Sequence, residues 1–224
     1  YVEKAAYEVT QHTAQSITMA GPPSPICGLQ LTKHVRVDKH GTVHFRVTAT
    51  NTRRTPVSWD LWLNTRVDGF TRCYVPLGPD SEVRIQHPPR EGRRRADLME
   101  FHDLQGHFTF APARPSPSSR NRWAKAFLYP SQGLIAAFPP KTALTVRFAH
   151  HHPSSIHPEQ ALVELYNAVG HGPDSALLEL EYHAPYRTLQ PGQNMSAEQT
   201  WQVREYDGAD DPQAHIEFLQ DVDR

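Results

Sequence analysis

The stretch Pro56–Tyr74, PVSWDLWLNTRVDGFTRCY, decides how this chain is read. It alternates with period two. Val57, Trp59, Leu61 and Leu63 fall on one side, and Ser58, Asp60, Trp62, Asn64 and Arg66 fall on the other. Successive side chains of a strand point to opposite faces, so the first set predicts a core face and the second an outer face. The outer set is unusual for a plain solvent face. It puts an aromatic ring beside an acid, an amide and a guanidinium. A flat apolar platform ringed by such groups suits a sugar-sized polar ligand. The plainer alternative is that Trp62 packs under a loop and Arg66 pairs with Asp60 or Asp68.

The same alternation spreads outward from this stretch. Gly28–Asp38 and Thr42–Asn51 predict two strands joined at Lys39-His40-Gly41, an antiparallel hairpin. Residues 1–27 read as irregular or edge material, with a hard stop at GPPSP, 21–25. Downstream, Arg72–Leu77 and Glu82–His87 predict short strands. Residues 88–122 form an irregular insertion of loop composition, with a short helix expected over Ala96–Leu104 and a strand over His107–Phe110. Strands resume at Lys125–Tyr129, Gly133–Phe138, Ala143–His150, Ala161–Ala168 and Ala176–His183. PYRTLQPGQN (185–194) reads as a long turn before a closing strand, Gln199–Tyr206. Asp211-Pro212 carries N-cap and N1 chemistry, and Ile216, Leu219 and Val222 follow at helical spacing. They predict a C-terminal helix over about 211–222. About a dozen short strands with turn signals between them define an all-β chain, an antiparallel sandwich or barrel, in one domain spanning residues 1–224.

Composition narrows the function classes. The chain of 224 residues has a formal charge of −1, which gives no reason to expect a nucleic-acid partner. No apolar run reaches membrane-spanning length. Twenty prolines against 12 glycines fit long loops, as does a mean hydropathy of −0.61. Cys27 and Cys73 are too few for a disulfide framework, and one bridge or two thiols are equally consistent with the sequence. The first residue is Tyr1, so an upstream segment is expected to have been removed or left out. The compartment and the oligomeric state stay open, with a periplasmic or secreted setting preferred to the cytoplasm.

The motif inventory excludes the commonest hydrolase, nucleotidase and zinc-protease patterns, since no GxSxG, phosphate-binding Gly loop or HExxH occurs. Among the 14 histidines, His150, His151, His152 and His157 cluster in a Pro/Ser-rich loop. Their spacing does not match a zinc site, and solvated histidines are the better expectation. The expectation is therefore no metal and no cofactor. The strand Ala176–His183 is more informative. Glu179, Glu181 and His183 share one parity, a possible general acid/base set, or else a charged outer face. Glu164 and Tyr166 come beside them if the two neighbouring strands pair.

The order of motifs carries a resemblance. Leu29-Gln30-Leu31-Thr32-Lys33, Ala49-Thr50-Asn51, Pro56-Val57, the Trp-rich strand, Glu179-Leu180-Glu181 and Leu189-Gln190-Pro191-Gly192 succeed one another before Trp201 and Val203. Over residues 28–206 this resembles the galactose mutarotase-like (aldose 1-epimerase-like) superfamily, nearest to an uncharacterised bacterial branch. The resemblance implies a β-supersandwich, here read as beginning partway into the family fold and short of its first strands, and a carbohydrate site on a concave sheet. It also implies a catalytic glutamate, which falls on Glu181, with Glu179 as the alternative register. The family's histidine acid falls near Trp62, whose indole N–H does not titrate as an acid. The expectation is a carbohydrate-binding protein, for a sugar or uronate. Trp62 would stack, Asn64, Arg66, Asp60, Glu179 and Tyr186 would bind, and Glu181 and His183 would be the candidate catalytic pair. The alternatives are an epimerase or uronate lyase built on Glu181 and His183, and a non-catalytic protein-interaction domain.

Overall fold

In the computed structural model, residues 4–87, 101–110, 122–169 and 176–222 are described. Seventeen strands and one α-helix follow in order. They are β1 (Glu8–His12), β2 (Ser16–Ala20), β3 (Leu29–Val37), β4 (Val43–Asn51), β5 (Val57–Trp59), β6 (Trp62–Asp68), β7 (Arg72–Pro76), β8 (Glu82–Gln86), β9 (Phe101–Leu104), β10 (His107–Phe110), β11 (Arg122–Tyr129), β12 (Leu134–Phe138), β13 (Thr142–Phe148), β14 (Val163–Val169), β15 (Ala176–His183), β16 (Arg187–Leu189), β17 (Asn194–Glu205) and α1 (Pro212–Val222).

A ten-stranded antiparallel sheet, β1-β2-β3-β4-β17-β13-β12-β7-β10-β9, packs on a five-stranded one, β6-β15-β14-β11-β8. The main core lies between them. Cys73, Val75, Ile135, Ala137, Leu144 and Val146 meet Ala124, Ala126, Leu128, Val163, Leu165, Leu178 and Leu180. The alternation that buries these residues sends their neighbours to the opposite, outer face of the smaller sheet. A second cluster around Leu29, Leu61, Leu63, Leu162 and Tyr182 fills the end where β5 pairs with β16. The all-β, antiparallel sandwich expected from the sequence is the fold observed.

Local chemistry fixes the turns. In the β3–β4 hairpin, Asp38 Oδ1 accepts from His40 N at 2.9 Å and from Thr42 N at 3.0 Å. Gly41 supplies the left-handed residue at φ 80°. Asn51, 1% exposed, donates to the carbonyls of Thr55 and Leu189 and accepts from Arg53 N, tying the entry to β5 to the β16–β17 turn. Between β6 and β7, a Cβ on Gly69 would lie 2.4 Å from Leu177 N, so only glycine fits there. Asp211 Oδ1 accepts from Gln213 N and Ala214 N at 3.0 Å, the expected N-cap of α1. Ile216 and Leu219 then pack against Tyr74, Phe138 and Tyr206.

Several expectations are corrected. The alternating run Val57–Arg66 is two strands in two sheets, broken at Asp60-Leu61, because β5 pairs with β16 while β6 pairs with β15. Trp59 is therefore 42% exposed and not in the core, and its Nε1 donates to Cys27 O at 3.0 Å. Of the two alternatives for the N-terminal stretch, irregular or edge material, the edge holds: β1 and β2 form a hairpin at the edge of the larger sheet. Phe101–Leu104 is a strand, not the end of a helix, because Gln105 and Gly106 at φ 50° and 72° make a two-residue hairpin turn to β10. The rest of that expected helix lies outside the described residues. The long turn at 185–194 contains β16, and the closing strand starts earlier, at Asn194. Both cysteines are free.

Candidate functional site

On the outer face of the smaller sheet, strand pairing lines up the candidate residues. Trp62 sits opposite His183, Asn64 opposite Glu181, and Arg66 opposite Glu179. Across β14, Glu164 sits opposite Glu181 and Tyr166 opposite Glu179, as the pairing hypothesis required. Glu164, Glu181 and His183 are 0%, 1% and 4% exposed. A charged row this deep must compensate itself.

It does so through Lys125 on the neighbouring strand β11. Its Nζ lies 2.6 Å from Glu164 Oε2 and 3.1 Å from Glu181 Oε2. Trp62 Nε1 donates to Glu181 Oε2 at 2.9 Å. Ala161 N donates to Glu164 Oε1 at 2.9 Å. Asp60, in the break between β5 and β6, holds His183 Nδ1 at 2.7 Å. Arg66 pairs with Glu179, not with Asp60 or Asp68.

The environment separates the two glutamates. Burial raises Glu181's pKa, against the opposing pull of Lys125. Burial also pushes Glu164 upward, but His183 and Lys125 outweigh it and leave its pKa low. For His183, burial opposes the charge, yet the carboxylates of Asp60 and Glu164 prevail and raise its pKa to about 9. At neutral pH the imidazole is a cation. Lys125 also stays charged, since its two carboxylates outweigh its burial.

Beside this cluster runs a groove of about 930 Å³, where the larger sheet extends past the β6 edge of the smaller one. Leu31, Lys33, Phe45, Arg46 and Trp201 form one wall, and Trp59, Asp60, Trp62, Asn64 and Arg66 the other. Asp60 and Trp62 belong to both features. Each lines the groove and bonds to a buried residue behind it. Trp59 and Trp62, 42% and 45% exposed, present two rings at the groove.

Of the sequence-derived residues, the structure brings together Asp60, Trp62, Asn64, Arg66, Glu179, Glu181 and His183. Tyr186 stands apart, edge-on to His157 and outside the groove lining. The loop histidines are engaged separately. His150 bonds to Pro130 O, His151 to the Tyr182 hydroxyl, and His152 caps the short 3-10 turn at Pro153–Ser155. Lys125 was missed. Its signal is a cation between Trp123 and Phe127 on a strand whose other face is Ala124, Ala126 and Leu128.

This sandwich is the galactose mutarotase-like fold. An aldose 1-epimerase-like protein from Klebsiella pneumoniae is similar over 97% of this chain and 57% of its own, at 10% identity and a TM-score of 0.56. A TPR-domain containing protein from Parabacteroides distasonis is similar over 92% of this chain and 35% of its own, at 14% identity and a TM-score of 0.58. A Synechocystis protein gives 89% and 66%, at 12% identity and a TM-score of 0.50. The chain thus spans between about one third and two thirds of these proteins' length. Residues 1–204 match the family described as domain of unknown function DUF4380, and the chain belongs to it. No curated protein sequence matches. Among the described residues, no helix is long and apolar enough to cross a membrane.

Proposed function

We propose that this protein binds a carbohydrate, a sugar or a uronate, in the groove along β6. The observation that carries this reading is the pairing of Trp59 and Trp62 at a groove that also presents Asn64, Arg66, Lys33 and Asp60. Apolar ring faces accept the C–H faces of a pyranose, while amide, guanidinium and carboxylate groups take its hydroxyls or its carboxylate. The mutarotase-like fold supports the same ligand class.

Binding is favoured over turnover by the cover on the acid/base groups. Glu181 is 1% exposed, and its Oε2 already accepts from Trp62 and Lys125. His183 Nδ1 is committed to Asp60. An epimerase or lyase mechanism through Glu181 and His183 requires Trp62 to leave its carboxylate. A protein-interaction domain with structural tryptophans is the remaining alternative.

The test is a thermal-shift screen followed by titration calorimetry. The panel is neutral hexoses, hexose phosphates, uronates and short uronate oligomers. A ligand selective for the folded state raises the melting temperature. One class is expected to give a shift and a measurable Kd, weakened at least about tenfold in Trp62→Ala, a loss of about 1.4 kcal/mol. No shift with any class at millimolar concentration would reject the reading.

A further inference from the structure

Two atoms of the buried row have incomplete hydrogen bonding: Glu164 Oε2, which is ion-paired with Lys125 Nζ at 2.6 Å, and His183 Nε2. His183 Nε2 is buried without a hydrogen-bond partner. It faces Glu164 Oε2 at 3.7 Å and Glu181 Oε2 at 4.0 Å, both too long for a hydrogen bond. The ligand atoms of Glu164, Glu181 and His183 all lie within 4.8 Å of one another. Buried polar atoms left unpaired are rare, and each calls for an occupant or a cause.

We propose that Glu164, Glu181 and His183 form a binding site for a divalent metal ion of the Zn²⁺ or Mn²⁺ type, which pins β14 to β15 behind the groove wall. The proposal does not rest on the carbohydrate reading. Three observations support it beyond the cluster itself.

The first is the set of groups that hold the ligands. Metal-bound histidines usually give their other ring nitrogen to a carboxylate, and ligating carboxylates are themselves hydrogen-bonded. Here Asp60 holds His183 Nδ1, Ala161 N holds Glu164 and Trp62 holds Glu181. The second is scale. Ligands about 2.0–2.2 Å from a tetrahedral ion stand about 3.4 Å apart, so the observed 3.7 and 4.0 Å close with shifts under about 1 Å. The third is charge. When His183 releases its Nε2 proton to become a ligand, Asp60, Glu164 and Glu181 outnumber Lys125 by two, which a dication balances. An imidazole ligand and few oxygens suit a transition ion better than Ca²⁺ or Mg²⁺.

Lys125 competes for the same carboxylates. Its side chain is 25% exposed, and a lysine stem lets the ammonium withdraw toward water. Removing that ammonium should therefore tighten metal binding.

The test is equilibrium dialysis of the chelator-treated chain against Zn²⁺ and, separately, Mn²⁺, with elemental analysis. One ion per chain is expected. Affinity should fall at least about tenfold in Glu164→Gln and in His183→Gln, and rise at least about tenfold in Lys125→Met. The triple variant His150→Gln/His151→Gln/His152→Gln should keep its ion. The proposal is overturned if neither the unsubstituted chain nor Lys125→Met holds a stoichiometric ion. It is equally overturned if the ion survives Glu164→Gln and disappears with the loop histidines. Should Glu164→Gln and His183→Gln not fold, Lys125→Met decides. A larger Zn²⁺-induced rise in melting temperature than in the unsubstituted chain supports the site, and an equal or absent rise refutes it.

Discussion

Replacing Lys125 by methionine isolates the ion-pair row, since methionine keeps the unbranched stem and removes only the ammonium. The charge sits 2.6 and 3.1 Å from two carboxylates that are 0% and 1% exposed. At an effective dielectric of about 20, the gross attractions are about 6 and 5 kcal/mol. Desolvation cancels much of this, and deleting one partner of a buried pair costs about 3–5 kcal/mol net. Because the lysine side chain is one quarter exposed, the lower end applies, about 3 kcal/mol. Unfolding entropy for a chain of this length makes that about 6 °C in melting temperature. Urea unfolding at pH 7, extrapolated linearly, reads the loss directly. The penalty should shrink as pH falls through the carboxylate range, because protonation removes the uncompensated charge. Lys125→Met combined with Glu164→Gln should cost less than the sum of the two single changes. A Lys125→Met loss under about 0.5 kcal/mol would refute the claim that this cation holds the row together.

Three further outcomes follow from individual contacts. Trp62→Phe keeps a ring at the groove but deletes the donor to Glu181. Since Glu181 retains Lys125, the cost should sit near the low end for a charged hydrogen bond, about 1.5 kcal/mol by urea unfolding. His215 is 1% exposed, and burial, opposed by Asp210, holds its pKa below the usual value. The folded state therefore binds fewer protons than the unfolded one. The stability this supplies is present above about pH 6.5 and is lost as pH falls below it. In His215→Gln, the decline in stability between pH 7 and pH 5 should be shallower. Asp211→Ala should cost about 1 kcal/mol by removing the cap from two N–H groups of α1, read as a lower melting temperature with unchanged β-sheet circular dichroism.

The sandwich was legible because period-two alternation survives wherever one strand face is buried. Leu178 and Leu180 point inward and Glu179 and Glu181 outward, as the sequence alone implies. The break at Asp60-Leu61 was not legible. Alternation runs unbroken through it, so local pattern could not tell that β5 and β6 belong to different sheets. That break frees Trp59 and aims Asp60 at His183. The hairpin at Gln105-Gly106 escaped because Phe101–Leu104, FHDL, does not alternate. Its signal lay in the turn. At the site, Glu181 is legible from the parity of its strand and Glu164 from the pairing of the adjacent one. Lys125 comes from β11, far from Glu181 in sequence, and only strand pairing brings its ammonium to both carboxylates. The groove itself depends on how far one sheet overhangs the other, a relation no single strand encodes.

The most direct measurement is a titration followed by the indole N–H signals of the four tryptophans, with the best ligand from the carbohydrate screen. Trp59 and Trp62 border the groove with exposed rings, whereas Trp123 packs on Tyr166 outside its lining. The Trp59 and Trp62 signals are expected to move in a saturable way while Trp123 stays in place. Saturable binding that moves only Trp123, or none of the four, would contradict a carbohydrate site along β6.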